Sequence, residues 1–174
     1  MWNLKKQGVL GKKIWMLGIL LIMLVLTNFV THEKLLIIED LDTHKKNEFF
    51  LPEKTFSLGY IHSVLLTPAE EFFRVESDNT LMLYKTIYES FGVGLPYSQE
   101  EWDFEIKGDK FLLNIERPFP SIKMRVSSIP DHWVGIGEER YKLVELVAKE
   151  DDLIEVYAVD RWGFKLGKRF YKLF

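Results

Sequence analysis

An uncharged apolar stretch near the N-terminus, Ile14 to Val30, constrains this chain more than any other feature of its sequence. As a helix rising 1.5 Å per residue it would span roughly 25 Å, close to the hydrocarbon thickness of a bilayer. Two lysine pairs, Lys5-Lys6 and Lys12-Lys13, precede it in a leader without acidic residues, which disfavours a buried core helix. Trp15 suits the membrane interface, and no small-residue cleavage pattern follows the stretch.

We therefore expect two regions: a basic leader with a single-pass anchor at 1–30, and an extracytoplasmic domain at 31–174. The lysine excess keeps the N-terminus in the cytoplasm and places the domain on the other side of the cell membrane. A cleaved signal peptide and a buried core helix are the alternatives.

Charge is segregated along the chain. Residues 1–30 and 161–174 carry nine basic residues and no acidic one. All 26 acidic residues lie in 31–160, which holds 14 basic ones, so the formal charge of this segment is −12. An acidic domain repels nucleic acid, because a protein binds nucleic acid largely by neutralising its phosphates with basic side chains. The chain has no cysteine, which excludes disulfides, thiolate nucleophiles and cysteine-ligated metal sites.

Short runs of alternating apolar and polar residues follow the apolar stretch, separated by turn residues. We predict strands at 34–41, 54–64, 71–77, 81–88, 102–107, 110–116, 122–126, 140–147 and 153–159. Gly108-Asp109 is a strong hairpin signal, and Asp78-Asn79 and Asp151-Asp152 are weaker ones. This spacing predicts a mostly β, compact antiparallel sandwich or barrel-like domain after the transmembrane helix. The segments 84–91 and 141–149 also fit a helical period.

The most distinctive stretch pairs two aromatic runs across a polar turn, FSLGYIHSVLLTPAEEFFRV at 56–75. It contains the pattern H-S-x-x-x-T-P-x-E, and G-V-G-L-P follows at 92–96. Together these elements resemble a bacterial family of short exported proteins classed as a domain of unknown function. The resemblance spans 34–147, and members of that family are typically encoded beside tripartite (TRAP) transporters of the TAXI type. It implies an exported location and association with a transporter, and it implies no catalytic residues.

The polar side chains of this stretch are the candidate binding residues: Tyr60, His62, Ser63, Thr67, Glu70, Glu71 and Arg74. If the first run turns back into the second, His62 can approach Glu70 or Glu71, and a carboxylate there would fix the tautomer of the imidazole. A metal ion would need a third ligand, for which His132 is the plausible distant histidine, although no tight ligand spacing supports such a site. The alternative is that these polar groups hydrogen-bond to one another and pin the turn.

No catalytic constellation is recognisable. His62 and Ser63 are neighbours on a strand and face opposite sides, so they cannot form a dyad. The segment with Gly92, Gly94 and Pro96 lacks the helix opening and the lysine of a phosphate loop. We assign these three residues and Pro68 to structural turns. We expect no enzyme activity, no cofactor and no metal ion.

These observations favour a membrane-anchored, non-enzymatic accessory protein of a TRAP-type (TAXI) transporter, whose partner is the permease or the solute-binding protein. The alternative is an extracytoplasmic sensor or enzyme that binds a small molecule or a metal ion, centred on His62 and Glu70. The basic, aromatic tail at 161–174 is interpreted as a last strand or as an interfacial or partner-binding segment.

Overall fold

The computed structural model describes residues 15–20, 30–62, 65–89, 103–166 and 169–172, and strands make up 60% of it. Within these ranges there are twelve strands, an α-helical segment at 15–20 and one short 3-10 helix, Leu143–Glu145. The strands are β1 (Val30–Asp40), β2 (Lys46–Phe50), β3 (Thr55–Ile61), β4 (Pro68–Val75), β5 (Leu81–Tyr88), β6 (Asp103–Lys107), β7 (Lys110–Phe119), β8 (Ile122–Arg125), β9 (Trp133–Ile136), β10 (Glu139–Lys142), β11 (Leu153–Leu166) and β12 (Arg169–Lys172). The chain forms two compact units, Lys34–Asp160 and a smaller one of Met1–Glu33 with Arg161–Phe174.

The larger unit contains two antiparallel sheets. One has seven strands in the order β10-β9-β3-β4-β5-β7-β6, and in the other β11 lies beside β1, with β2 next to β1 and β8 paired to β11. Neither sheet closes on itself within the described residues, so of the two architectures predicted the structure has the sandwich. The prediction of a mostly β, antiparallel domain is confirmed.

One hydrophobic core lies between the two sheets. Because successive side chains of a strand face opposite sides, each sheet contributes alternate residues to it. The buried members include Leu36, Ile38, Ile154 and Val156 from the first and last long strands, and Phe56, Leu58, Phe73, Leu83 and Val134 from the seven-stranded sheet. The rings of Phe56 and Phe73 stack with centroids 5.0 Å apart.

A buried lysine ties β1 to the β4–β5 turn. The Lys34 ammonium donates hydrogen bonds to the backbone oxygen of Ser77 (2.9 Å) and to Oδ1 of Asn79 (2.7 Å), and it pairs with Asp160 at 2.8 Å. A buried charge is tolerated only when it is paired and hydrogen-bonded, and this one is both.

The turn signals of the sequence were mostly correct. Gly108-Asp109 closes a hairpin in which Lys107 pairs with Lys110, and Asp78-Asn79 joins the paired strands β4 and β5. Asp151-Asp152 does not close a hairpin, since β11 pairs with β8 and not with the preceding strand.

The helical alternatives were partly wrong. Residues 81–88 are strand β5, whereas 141–149 divides into the end of β10, the 3-10 helix and turns. The pattern also missed two short strands, β2 and β9, because four or five residues carry too little alternation to be recognised.

In the smaller unit the structure describes a helical segment at 15–20 and the pairing of Gly163–Leu166 with β12. None of the helices within the described ranges has both the length and the apolar character needed to span a membrane. Residue 14 and residues 21–29 of the expected anchor lie outside the described residues, so the anchor stays a prediction. The tail continues as strand, and its side chains after Gly163 also lie outside the described residues.

Candidate functional site

The turn between β3 and β4 is closed by backbone hydrogen bonds at His62. The N–H of His62 donates to the oxygen of Thr67 (2.9 Å), and the N–H of Leu66 donates to the oxygen of His62 (2.8 Å). The imidazole takes part as well, because its Nδ1 accepts the N–H of Leu65 at 3.2 Å. Neutral His62 therefore carries its ring proton on Nε2. Pro68 begins β4 opposite Ile61.

Glu70 lies on the sheet face that looks away from the shared core. Its Oε1 accepts a hydrogen bond from the Ser57 hydroxyl (2.7 Å), and its Oε2 pairs with the Arg140 guanidinium (2.9 Å). Arg140 in turn lies 5.0 Å over the ring of Trp133. We call Ser57, Glu70, Trp133 and Arg140 the outer network. Two of these contacts join β4 to β3 and β10, and the third joins β10 to β9, so the network holds that edge of the sheet together.

Glu71, the next residue, lies on the opposite, inward face. Its cross-strand neighbours are Leu58 on β3 and the buried Thr86 on β5. Among the described residues its carboxyl makes no hydrogen bond. Burial raises the pKa of Glu71, and the Arg117 cation opposes this shift. The two neighbouring carboxyl groups therefore have different electrostatic surroundings.

Glu71 borders a cavity of about 520 Å³ at one end of the sandwich. Polar groups of the lining are those of Tyr60, His62, Glu71 and His132 and the indole N–H of Trp133, which has no hydrogen-bond partner among the described residues. Its apolar lining includes Leu58, Ile122, Met124, Pro130 and Leu143. Both sheets contribute, since Ile122 and Met124 belong to β8. Concave, mostly apolar pockets with a few polar groups are typical of small-molecule sites.

His132 and Tyr60 are neighbours in this pocket, with ring centroids 6.3 Å apart. Burial lowers the pKa of His132, although the nearby Asp131 raises it. The Nδ1 atom of His132 accepts the N–H of Ser127 at 3.3 Å, so the proton of the neutral ring sits on Nε2. Burial raises the pKa of Tyr60, with a contribution from Glu71 in the same direction, which keeps the phenol protonated.

The structure thus brings together Tyr60, His62, Glu71 and the distant His132 at the pocket, but Glu70 does not line it. Arg74 is engaged elsewhere: its guanidinium pairs with both carboxylate oxygens of Glu116, at 2.7 and 2.9 Å, and with Glu76 at 2.6 Å. These acidic partners raise the pKa of Arg74. The other candidates, Ser63, Gly92, Gly94 and Pro96, lie outside the described residues.

One residue of the sequence indicates the outer network. Gly59 interrupts an aromatic strand, and a glycine inside a strand often marks the close approach of another group. A methyl group at Gly59 would overlap the indole of Trp133, so this glycine leaves room for the tryptophan ring. No group of three or more histidine, aspartate or glutamate side chains in the described part of the chain is arranged to hold a metal ion.

Comparison with protein families finds a match to the model described as a domain of unknown function (DUF1850), over residues 56–143. No curated protein and no solved structure matches the chain. The matched segment covers half of the chain and contains every residue that lines the pocket, from Leu58 to Leu143.

Proposed function

The chain belongs to the DUF1850 family, and we propose that it is a membrane-anchored, non-enzymatic accessory protein of a TRAP-type (TAXI) solute transporter. The basic leader and apolar stretch at 1–30 would hold it in the cell membrane, with the sandwich outside the cytoplasm. The transporter association rests on the sequence resemblance described above. The partner is the permease or the solute-binding protein of that transporter.

The observation that carries this proposal is an exposed apolar surface beside the pocket, which we call the apolar rim: Leu65, Leu66 and Ile129. Leu66 is 74% exposed and Ile129 is 76% exposed. The N–H of Ile61 donates to the oxygen of Pro130 (2.6 Å), which ties the β3–β4 turn to the turn that carries Ile129. Neighbouring exposed apolar groups are typical of protein-binding surfaces.

The turn of Ile129 is itself held in place. The carboxylate of Glu150 accepts hydrogen bonds from the backbone N–H and from the hydroxyl of Ser128, at 3.0 and 2.5 Å. These contacts lower the pKa of Glu150. Contacts that hold a turn in place before a partner binds reduce the conformational entropy lost on binding, which favours recognition at Ile129.

Co-purification tests the proposal. The full chain, tagged at its C-terminus, is extracted from membranes that also contain a TAXI-type permease and its solute-binding protein, and the bound fraction of each is measured. We expect capture of one of these two proteins, and we expect the double variant Leu66→Ser/Ile129→Ser to lower it by at least about fivefold, as for central apolar contacts.

Ile106→Ser is the matched control. Ile106 is 57% exposed and lies on the β6–β7 hairpin, outside the rim. Its replacement removes a similar apolar group, and we expect capture to stay unchanged. Equal loss in the control, or repeated purification without either transport protein, contradicts the proposal.

A second candidate function, the binding of a small molecule, is favoured by the pocket of about 520 Å³ between the sheets. Its centre differs from the sequence-based hypothesis, because the carboxylate that borders the pocket is that of Glu71 and not that of Glu70. Such binding is compatible with the accessory role, since a transporter partner can respond to a ligand held beside the docking surface.

A further inference from the structure

We infer that the pocket binds a small organic cation, an amine with an apolar body, whose charged group pairs with the carboxylate of Glu71. This inference rests on the second candidate function, small-molecule binding in the pocket, and is independent of the docking of the apolar rim. It gives that site a ligand class, which neither the family description nor the sequence supplies.

The first reason is the charge of the lining. Among the described residues of the lining, Glu71 is the one that carries a formal charge when both histidines are neutral. Burial lowers the pKa of His132, which favours its neutral form. The pocket therefore presents a negative group to a ligand, and a cation is the complementary charge.

The second reason is that Glu71 has no hydrogen-bond partner among the described residues. A half-buried carboxylate without a partner bears a desolvation penalty that a bound ammonium group would relieve. Arg117 acts on Glu71 through space, but its guanidinium lies 5.1 Å over the ring of Phe119 and makes no hydrogen bond with the carboxylate.

The third reason is the rest of the wall. The aromatic ring of Tyr60 lies in the same pocket as Glu71, and a cation over the face of such a ring gains further stabilisation. Leu58, Ile122, Met124 and Leu143 offer the apolar surface that would cover the body of the ligand. A fully hydrophilic cation such as a metal ion would leave this surface unused.

Three probes of the same shape and different charge test the inference: phenethylamine, phenethyl alcohol and phenylacetate. Each is titrated at neutral pH into the full chain, and heat is measured by calorimetry. We expect phenethylamine to bind in the millimolar range or tighter, and the other two to bind at least about tenfold more weakly, as for the loss of a charge-assisted hydrogen bond.

Glu71→Gln keeps the shape of the side chain and removes its charge, and we expect it to weaken phenethylamine binding by at least about tenfold. Glu70→Gln is the matched control, since it makes the same replacement one residue away on the other face, and it should leave binding unchanged. Thermal unfolding of each variant reports whether it is folded.

Each remaining outcome has one meaning. If phenethyl alcohol or phenylacetate binds as tightly as the amine, or if Glu71→Gln binds the amine like the parent chain, the pocket binds ligands but the inference about cations is wrong. If none of the three probes binds at millimolar concentration, both small-molecule binding in the pocket and the inference are wrong. Neither result bears on transporter docking.

Discussion

Glu70 and Glu71 are neighbours on one strand, yet the two faces of the sheet give them opposite surroundings. Glu70 is held by the Ser57 hydroxyl at 2.7 Å and by the Arg140 guanidinium at 2.9 Å. Glu71 faces a largely apolar pocket without a hydrogen bond among the described residues, and burial raises its pKa. Because the strand is pleated, one carboxylate lies where it pairs with neighbouring strands and the next one lies at the pocket.

The largest effect on stability is expected from Gly59→Ala, on the outer face of the sheet. The added methyl group overlaps the buried Trp133 indole, so the ring or the strand must shift. We expect the free energy of unfolding to fall by about 2–3 kcal/mol, as for an overpacked core, measured by urea denaturation. In a protein that already carries Trp133→Leu, Gly59→Ala should lower the free energy of unfolding much less. An equal loss in that protein would show that the indole is not the obstacle.

A smaller loss of stability is expected when the hydroxyl that binds Glu70 is removed. Ser57→Ala removes one hydrogen bond and should lower the free energy of unfolding by about 1 kcal/mol. A methyl group at Gly135 would overlap the same hydroxyl, so Gly135→Ala should break the same bond.

The double variant Ser57→Ala/Gly135→Ala should then be about as stable as Ser57→Ala alone. Urea denaturation of the four proteins gives this cycle. Strictly additive losses would mean that Gly135 is constrained by something other than the Ser57 hydroxyl.

The smallest effects on stability are expected from replacing either carboxylate by an amide, and the two replacements should act in opposite directions. Glu70→Gln weakens the ion pair with Arg140 and should lower the free energy of unfolding by about 0.5 kcal/mol, as for a partly exposed pair. Glu71→Gln should raise the thermal midpoint at neutral pH, because the raised pKa means that ionised Glu71 destabilises the folded state.

The pH dependence checks the sign for Glu71. Its protonated form stabilises the native protein fully below the ordinary pKa of a glutamate, and this contribution is lost as the pH rises through the pKa in the folded state. The gain of Glu71→Gln should therefore shrink as the solution is made acidic. If Glu71→Gln raises the thermal midpoint by the same amount at every pH, burial of the charged carboxylate is not the cause of the increase.

Most of the fold could be predicted from the alternation of apolar and polar residues and from the turn residues. Strand β5 is found at the predicted residues, and the Gly108 hairpin has the expected two-residue turn. Both are local features, because a side-chain period of two and a positive φ at glycine require no distant contact. The pairing of β11 with β8 was missed, since Asp151-Asp152 indicates a turn but not which strand the chain will meet next.

The candidate site was predicted only in part. The sequence placed Tyr60, His62, Glu70 and Glu71 in one hairpin, but it could not decide which carboxylate faces inward. The register of β3 and β4 decides this by pairing Leu58 with Glu71 and Gly59 with Glu70. His132 joins the pocket through a turn about seventy residues away, and Arg140 reaches Glu70 from β10.

By itself, the sequence determined a mostly β chain, the aromatic hairpin with its polar turn, and the absence of any cysteine chemistry, because these depend on residue types and short periods. Only the tertiary structure decided that two sheets enclose a pocket, that Glu71 borders it, and that Glu70 is already paired. Those outcomes depend on contacts between distant strands, and a one-residue change of register would exchange the two faces.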